Sequence, residues 1–148
     1  ARWKAEIGDE YIVLIRAHYE VTKVFNIHFD NKFVFDVSDY TVLNDLMLAS
    51  DILISDYSSI FFDYSILNRP MLYFTYDYDT YSRERGMYFD IRNEILGSNN
   101  EKELINLIKD IDKSNAIFKV RNFRTKYVER YGNATEVSLN TIYENVKD

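Results

Sequence analysis

The sequence has no cysteine, a single proline, four glycines and two histidines in 148 residues. Without cysteine there is no disulfide framework and no thiolate metal site. His18 and His28 are too few for a multi-histidine centre, so no metal site and no cofactor are expected. Scarce proline and glycine leave little material for linkers, so the chain should be ordered over about one domain's length. No apolar run exceeds the length of a strand, so no membrane span is expected. No signal peptide is visible, which makes a cytoplasmic setting the default. Glycine-rich phosphate loops are also missing, since neither GxGxxG nor GxxxxGK[ST] occurs. Basic charge is in deficit: 18 Lys and Arg stand against 24 Asp and Glu, for a net charge of −6. A nucleic-acid binder would carry a basic face, so no nucleic-acid partner is expected, although a local basic pocket for a small phosphate ligand remains compatible.

What is present is a series of short apolar runs. "YIVLIR" (11–16), "KFVFDVS" (32–38), "DILIS" (51–55) and "MLYFT" (71–75) read as strands, several of them apolar enough for a sheet covered on both faces. "TVLNDLMLAS" (41–50) and "SSIFFDYSILN" (58–68) have helical spacing, the second stopped by Asn68-Arg69-Pro70. Residues 17–31 read as a loop with a short helical turn, and residues 76–97 as a long functional loop without steady period. Helices are expected at 100–112, at 116–130 with Gly132 as its stop, and at 133–147. The opening "ARWKAEIGDE" reads as the tail of a helix entered midway, so a piece of a longer protein is expected. Strands alternating with helices predict an α/β, Rossmann-like parallel sheet with helices on both faces, the C-terminal helices among them. In such sheets ligands sit at the carboxyl ends of the strands: 16–18, 38–40, 56–59 and 75–79.

The third of these edges carries "SDYSSIFFDY" (55–64), a strand handing over to a helix through two adjacent serines. A single serine there would cap the helix. Ser58 and Ser59 together add hydroxyl donors to free backbone N–H groups and the positive end of the helix dipole, a combination suited to a diphosphate. Asp63 shares a helix face with Ser59 and either caps neighbouring backbone or accepts hydrogen bonds from a ribose or other ligand hydroxyl. Asp56 fits a turn-fixing role. At the first edge, Arg16 offers a guanidinium fork for phosphate and His18 a proton that moves near neutral pH. His28 lies further into its loop without such company. Arg83 and Arg85 in the 76–97 stretch read mainly as solvated charges, and Asp77 and Asp79 as too little for a metal.

Taken together, "LASDILISDYSSIFFDYSILNRPMLYFTYDYDTY" with "RERGMYFD", "GDEYIVLIRAHY" upstream and "FRTKYVERYGNATEVSLNTI" downstream resemble the CDP-glycerol glycerophosphotransferase family, which primes or polymerises teichoic acids. The resemblance runs over nearly all of residues 8–146. It implies that residues 1–148 form one nucleotide-binding domain, the C-terminal half of a GT-B-like enzyme whose N-terminal domain supplies a second histidine and much of the acceptor surface. The isolated chain is then expected to be inactive. The implied donor is CDP-glycerol, or CDP-ribitol in close relatives. Glycerol phosphate passes to a lipid-linked teichoic acid acceptor and CMP leaves, at the inner face of the cell membrane with peripheral membrane association. Matched position by position, Arg16, His18, Ser58, Ser59 and Asp63 correspond to donor-binding residues, with His18 the catalytic candidate. Leu96-Gly97 departs from the Pro-Gly usual in the family. Two rival readings are a GT-B transferase using a UDP- or GDP-sugar, and a non-catalytic module such as a receiver or flavodoxin-like domain. A receiver should show an acidic cluster after its first strand, where this chain has Arg-Ala-His.

Overall fold

The structure is a computed structural model that describes residues 2–17 and 32–146. Among these residues the order is helix α1 (Arg2–Ile7), β1 (Val13–Ile15), β2 (Val34–Asp36), α2 (Leu43–Ala49), β3 (Leu53–Ser55), α3 (Ile60–Ser65), β4 (Met71–Phe74) and α4 (Tyr78–Arg85). A 3-10 turn (Ile91–Asn93), β5 (Leu96–Ser98), α5 (Glu101–Lys109), α6 (Lys113–Tyr127) and α7 (Ala134–Asn145) complete it. His18, His28 and the loop expected at 17–31 lie, apart from Ala17, outside the described residues.

All strand pairs are parallel, as the alternation of strands and helices requires. The sheet is in two pieces. β1 pairs with β2, and β3, β4 and β5 form a second piece with β4 at its centre. A cleft of about 1020 Å3, lined by Val13, Leu14 and Ile15 on one side and Leu53 and Ile54 on the other, lies between β1 and β3. The central strand shows why both faces must be covered. Successive side chains of a strand point to opposite faces, and Met71 and Leu72 are 1% and 0% exposed. Met71 joins Phe61, Tyr64, Val120 and Phe123 under α3 and α6. Leu72 joins Ile7, Leu104, Ile105 and Ile108 under α1 and α5.

Four expectations need correction. The stretch 76–97 is not a loop throughout, since it contains α4, the 3-10 turn and β5. α4 buries no residue, so no apolar stripe marks it. β5 has three residues, one of them glycine, and gains strand character only through its ladder with β4. Glycine is needed there because a Cβ on Gly97 would sit 2.2 Å from the Tyr73 carbonyl oxygen. The helix expected at 116–130 starts earlier and stops earlier. Asp112 caps it by accepting from the backbone N–H groups of Ser114 and Asn115 at 3.0 and 3.1 Å, and it ends at Tyr127, well before Gly132. The segment expected to be helical over 58–68 is regular only over Ile60–Ser65, after which Asn68 takes a positive φ of 53° ahead of Arg69-Pro70. Finally, α7 forms but buries nothing, and Leu139, Ile142 and Tyr143 stay exposed. The faces of the sheet are already occupied by α1, α3, α5 and α6.

An acidic residue ties the segment between α4 and β5 to α6. Glu94 accepts from Lys126 Nζ at 2.6 Å and from the Tyr127 hydroxyl at 2.8 Å. The Lys126 hydrogen bond, and after it that of Tyr127, holds the Glu94 carboxyl below its ordinary value of 4.5 against the opposing effect of burial. A depressed folded-state pKa contributes stability that is present above the unfolded value and lost as pH falls through the folded one. Urea unfolding at pH 7 and pH 3 should therefore show Glu94→Gln less stable than the parent at pH 7, with the gap closing at pH 3. A gap that does not change with pH would remove Glu94 from the acid sensitivity of the fold.

Candidate functional site

The β3–α3 segment is held from behind. Phe61 and Tyr64 are buried, and the Tyr64 hydroxyl donates to the Ser50 carbonyl at 2.7 Å, with burial pushing its pKa up to about 12. Arg69 donates to the carbonyls of Leu48 and Ser50, both at 2.6 Å, which fixes α3 against the end of α2. With that anchor, the turn 56–59 projects from the carboxyl end of β3. Asp56 fixes it as expected, its Oδ1 accepting from the Tyr57 backbone N–H at 2.7 Å. Ser58 and Ser59 are exposed, and so is Asp63 on the first turn of α3. The capping serine is Ser58: its Oγ accepts from the Ile60 N–H at 3.3 Å, while Ser59 at the cap position makes no side-chain cap. This leaves the Ser59 hydroxyl directed to other uses.

The first edge is built separately. Arg16 leaves β1 and its guanidinium donates to the Tyr40 carbonyl. The Ala17 N–H donates to Ser38 Oγ at 3.1 Å, and the Ser38 N–H to Asp36 Oδ1 at 2.9 Å. The structure thus gathers Arg16 with residues 38–40, both marked in the sequence as ligand-edge positions. Ser58, Ser59 and Asp63 are gathered on the neighbouring turn. Among the described residues no hydrogen bond or ion pair joins Arg16 to that second group. Arg83 and Arg85 are exposed in the last turn of α4, where a positive charge suits the helix dipole.

A group of tyrosines beside the serine turn was not foreseen. The Tyr57 ring stacks on Tyr81 with centroids 3.7 Å apart and planes 14° apart, and its hydroxyl donates to Asp77 Oδ1 at 2.8 Å. Burial first, then Asp77, pushes the Tyr57 pKa well up, so its hydroxyl keeps its proton. Arg92 lies over the Tyr78 ring at 3.4 Å from its centroid, and donates to the Asp90 carboxylate through Nε and Nη2 at 2.9 and 2.7 Å. The available signal was the spacing of Tyr78 and Tyr81, which share a face once α4 is recognised as a helix.

Against this geometry the comparisons are informative. Residues 1–144 match the model of the CDP-Glycerol:Poly(glycerophosphate) glycerophosphotransferase family. The chain belongs to that family. It is 43% identical over 111 residues to a teichoic acid glycerol-phosphate transferase of Staphylococcus aureus, covering 73% of this chain and 28% of that protein. It is 38% identical over 148 residues to a teichoic acid poly(glycerol phosphate) polymerase of Bacillus subtilis, covering 95% of this chain and 20% of that protein. A solved structure of the wall teichoic acid polymerase TagF, from a variant soaked with CDPG for 30 minutes, superposes with a TM-score of 0.81 at 31% identity. That match covers 99% of this chain and 38% of the TagF chain. The parallel α/β architecture expected from the alternation of strands and helices is therefore the one shared with the GT-B-like TagF. The family member described here spans well under half the length of these relatives. Among its described residues, no helix is long and apolar enough to cross a membrane.

Proposed function

We propose that this family member is the donor-binding domain of a transferase that moves glycerol phosphate from CDP-glycerol to a lipid-linked teichoic acid acceptor. The observation that carries this reading is the near-complete superposition on TagF soaked with CDPG. An acceptor hydroxyl attacks the β-phosphorus, the bond from that phosphorus to the CMP oxygen breaks, and CMP leaves with the negative charge. Catalysis of this kind rests on positioning and charge stabilisation. Ser58 and Ser59 donate to the diphosphate, Arg16 neutralises it, and Asp63 accepts from a hydroxyl of the ribose or polyol. His18 donates a proton or hydrogen bond to a phosphate oxygen as charge builds on CMP. The remainder of the active site, including the base that takes the acceptor's proton, is assigned to a second domain of a two-domain enzyme. The enzyme works at the inner face of the cell membrane with peripheral attachment.

Calorimetric titration of this chain tests the donor assignment. CDP-glycerol and CDP should bind at least about tenfold more tightly than UDP or GDP, a difference of about 1.4 kcal/mol. Equal or reversed preference would point to a nucleotide-sugar transferase. A folded chain that binds none of them would be left as a non-catalytic module. CDP-ribitol in the same series checks the polyol, and weaker binding than CDP-glycerol is expected.

A further inference from the structure

We infer that Tyr57 is a positioning residue that sets the Ser58–Ser59 turn by clamping it to the start of α4, an inference that rests on the donor-site reading above. The turn's own support is two local hydrogen bonds, Asp56 Oδ1 accepting from the Tyr57 N–H and Ser58 Oγ from the Ile60 N–H. Its residues Asp56, Ser58 and Ser59 are exposed, and the helix behind it is six residues long. Tyr57 alone turns inward, where it meets Asp77, just past the carboxyl end of the next strand, and Tyr81 on the helix that follows. Its ring lies flat on Tyr81 and its hydroxyl donates to Asp77.

Asp77 occupies the N-cap position of α4, where an aspartate ordinarily accepts from the helix's own free N–H groups. Here its side chain makes no cap hydrogen bond. Its carboxylate is turned to Tyr57 instead, while its backbone carbonyl takes the N–H groups of Thr80 and Tyr81 at 3.0 Å each. A favourable local bond has thus been given up for a link between two adjacent strand-to-helix turns at the ligand edge. The start of α4 is itself held, because Tyr78 lies beneath Arg92 and Arg92 is forked onto Asp90. The clamp therefore runs from a fixed helix start through Asp77 and Tyr81 to Tyr57. The residue after Tyr57 in the chain carries the first of the two hydroxyls. Two hydroxyls a residue apart donate well to one diphosphate only if their backbone is held in place, and tight binding follows from that preorganisation.

The test uses Tyr57→Phe, Asp77→Ala, Asp77→Asn and the Tyr57→Phe/Asp77→Ala pair in this chain. Amide hydrogen exchange without nucleotide should be faster at residues 58–60 in Tyr57→Phe and Asp77→Ala, with the exchange of β4 amides unchanged. CDP affinity should fall about tenfold in each, the loss expected for one hydrogen bond. The pair should lose no more than either single change, as groups that share one bond do. Asp77→Asn, whose side-chain carbonyl accepts the same phenolic hydrogen, should regain most of the affinity lost in Asp77→Ala. Unchanged exchange at 58–60, or losses that add in full, would overturn the clamp. A parent chain that fails to bind CDP while its exchange responds as described would instead overturn the donor-site reading, and with it the purpose assigned to the clamp.

Discussion

The intact enzyme carrying His18→Ala is expected to turn over about 10²–10⁴-fold more slowly, the usual contribution of one general acid or base. Its affinity for CDP should change little. The reason lies in timing. On the proposed donor site, Arg16 and the serine hydroxyls meet the diphosphate charge in the ground state, so removing an imidazole is expected to cost little binding. As the bond to CMP lengthens, negative charge moves onto the leaving oxygen, and the donor role proposed for His18 has its largest effect then. His18 is two residues beyond Arg16, which leaves β1 at the carboxyl edge of its strand pair. His28→Ala serves as the control and should keep parental turnover. Steady-state turnover beside CDP titration separates the two effects. Near-parental turnover in His18→Ala would remove it from the chemistry, and an equal loss of CDP affinity would recast it as a binding group.

Phe123→Ala is expected to cost about 3–5 kcal/mol of folding stability, among the larger values for a single core truncation. Phe123 is 0% exposed. Its ring meets Phe62 at 5.4 Å, Phe89 at 6.0 Å and Tyr127 at 4.9 Å between centroids. The truncation therefore leaves a cavity and breaks three aromatic contacts at once. These contacts join α6 to α3 and to the segment before the 3-10 turn, so little can move in to refill the space. Urea unfolding of the two proteins measures the difference. A loss below about 1 kcal/mol would mean that the cluster repacks and does not act as a rigid joint. On the proposed donor site, which includes Asp63 of α3, CDP binding by the variant is expected to track its folded fraction.

Several features were legible because they depend on neighbours in the chain. The apolar runs at 11–16, 51–55 and 71–75 each contain a strand, and the burial of both Met71 and Leu72 follows from the unbroken apolar run in "MLYFT". Ser58 and Ser59 were identifiable as the hand-over from β3 to a helix because small polar residues follow an apolar run there. The helix at 100–112 was legible for the same reason: Asn100 accepts from the N–H groups of Lys102 and Glu103, and Leu104, Ile105 and Ile108 form its buried stripe.

The misreadings have a common origin. α4 is polar on all sides, and β5 is a three-residue strand with a glycine at its centre, so neither has a hydrophobic period to detect. α6 begins ahead of its first apolar residue because Asp112 caps it there. α7 has an apolar face without a place on the sheet, and periodicity alone cannot say which face is already taken.

The sequence by itself determined the alternating strands and helices, the two serines at a strand end and membership of the family, because each is written in adjacent residues and their spacing. Tertiary structure decided that Leu96–Ser98 is a strand, that the sheet is divided between β1 and β3, and that Tyr57 turns toward Asp77. Those outcomes depend on backbone and side-chain partners brought together from about 20 residues or more away, and a hydrogen bond between distant segments forms only after the chain has folded to bring them within reach.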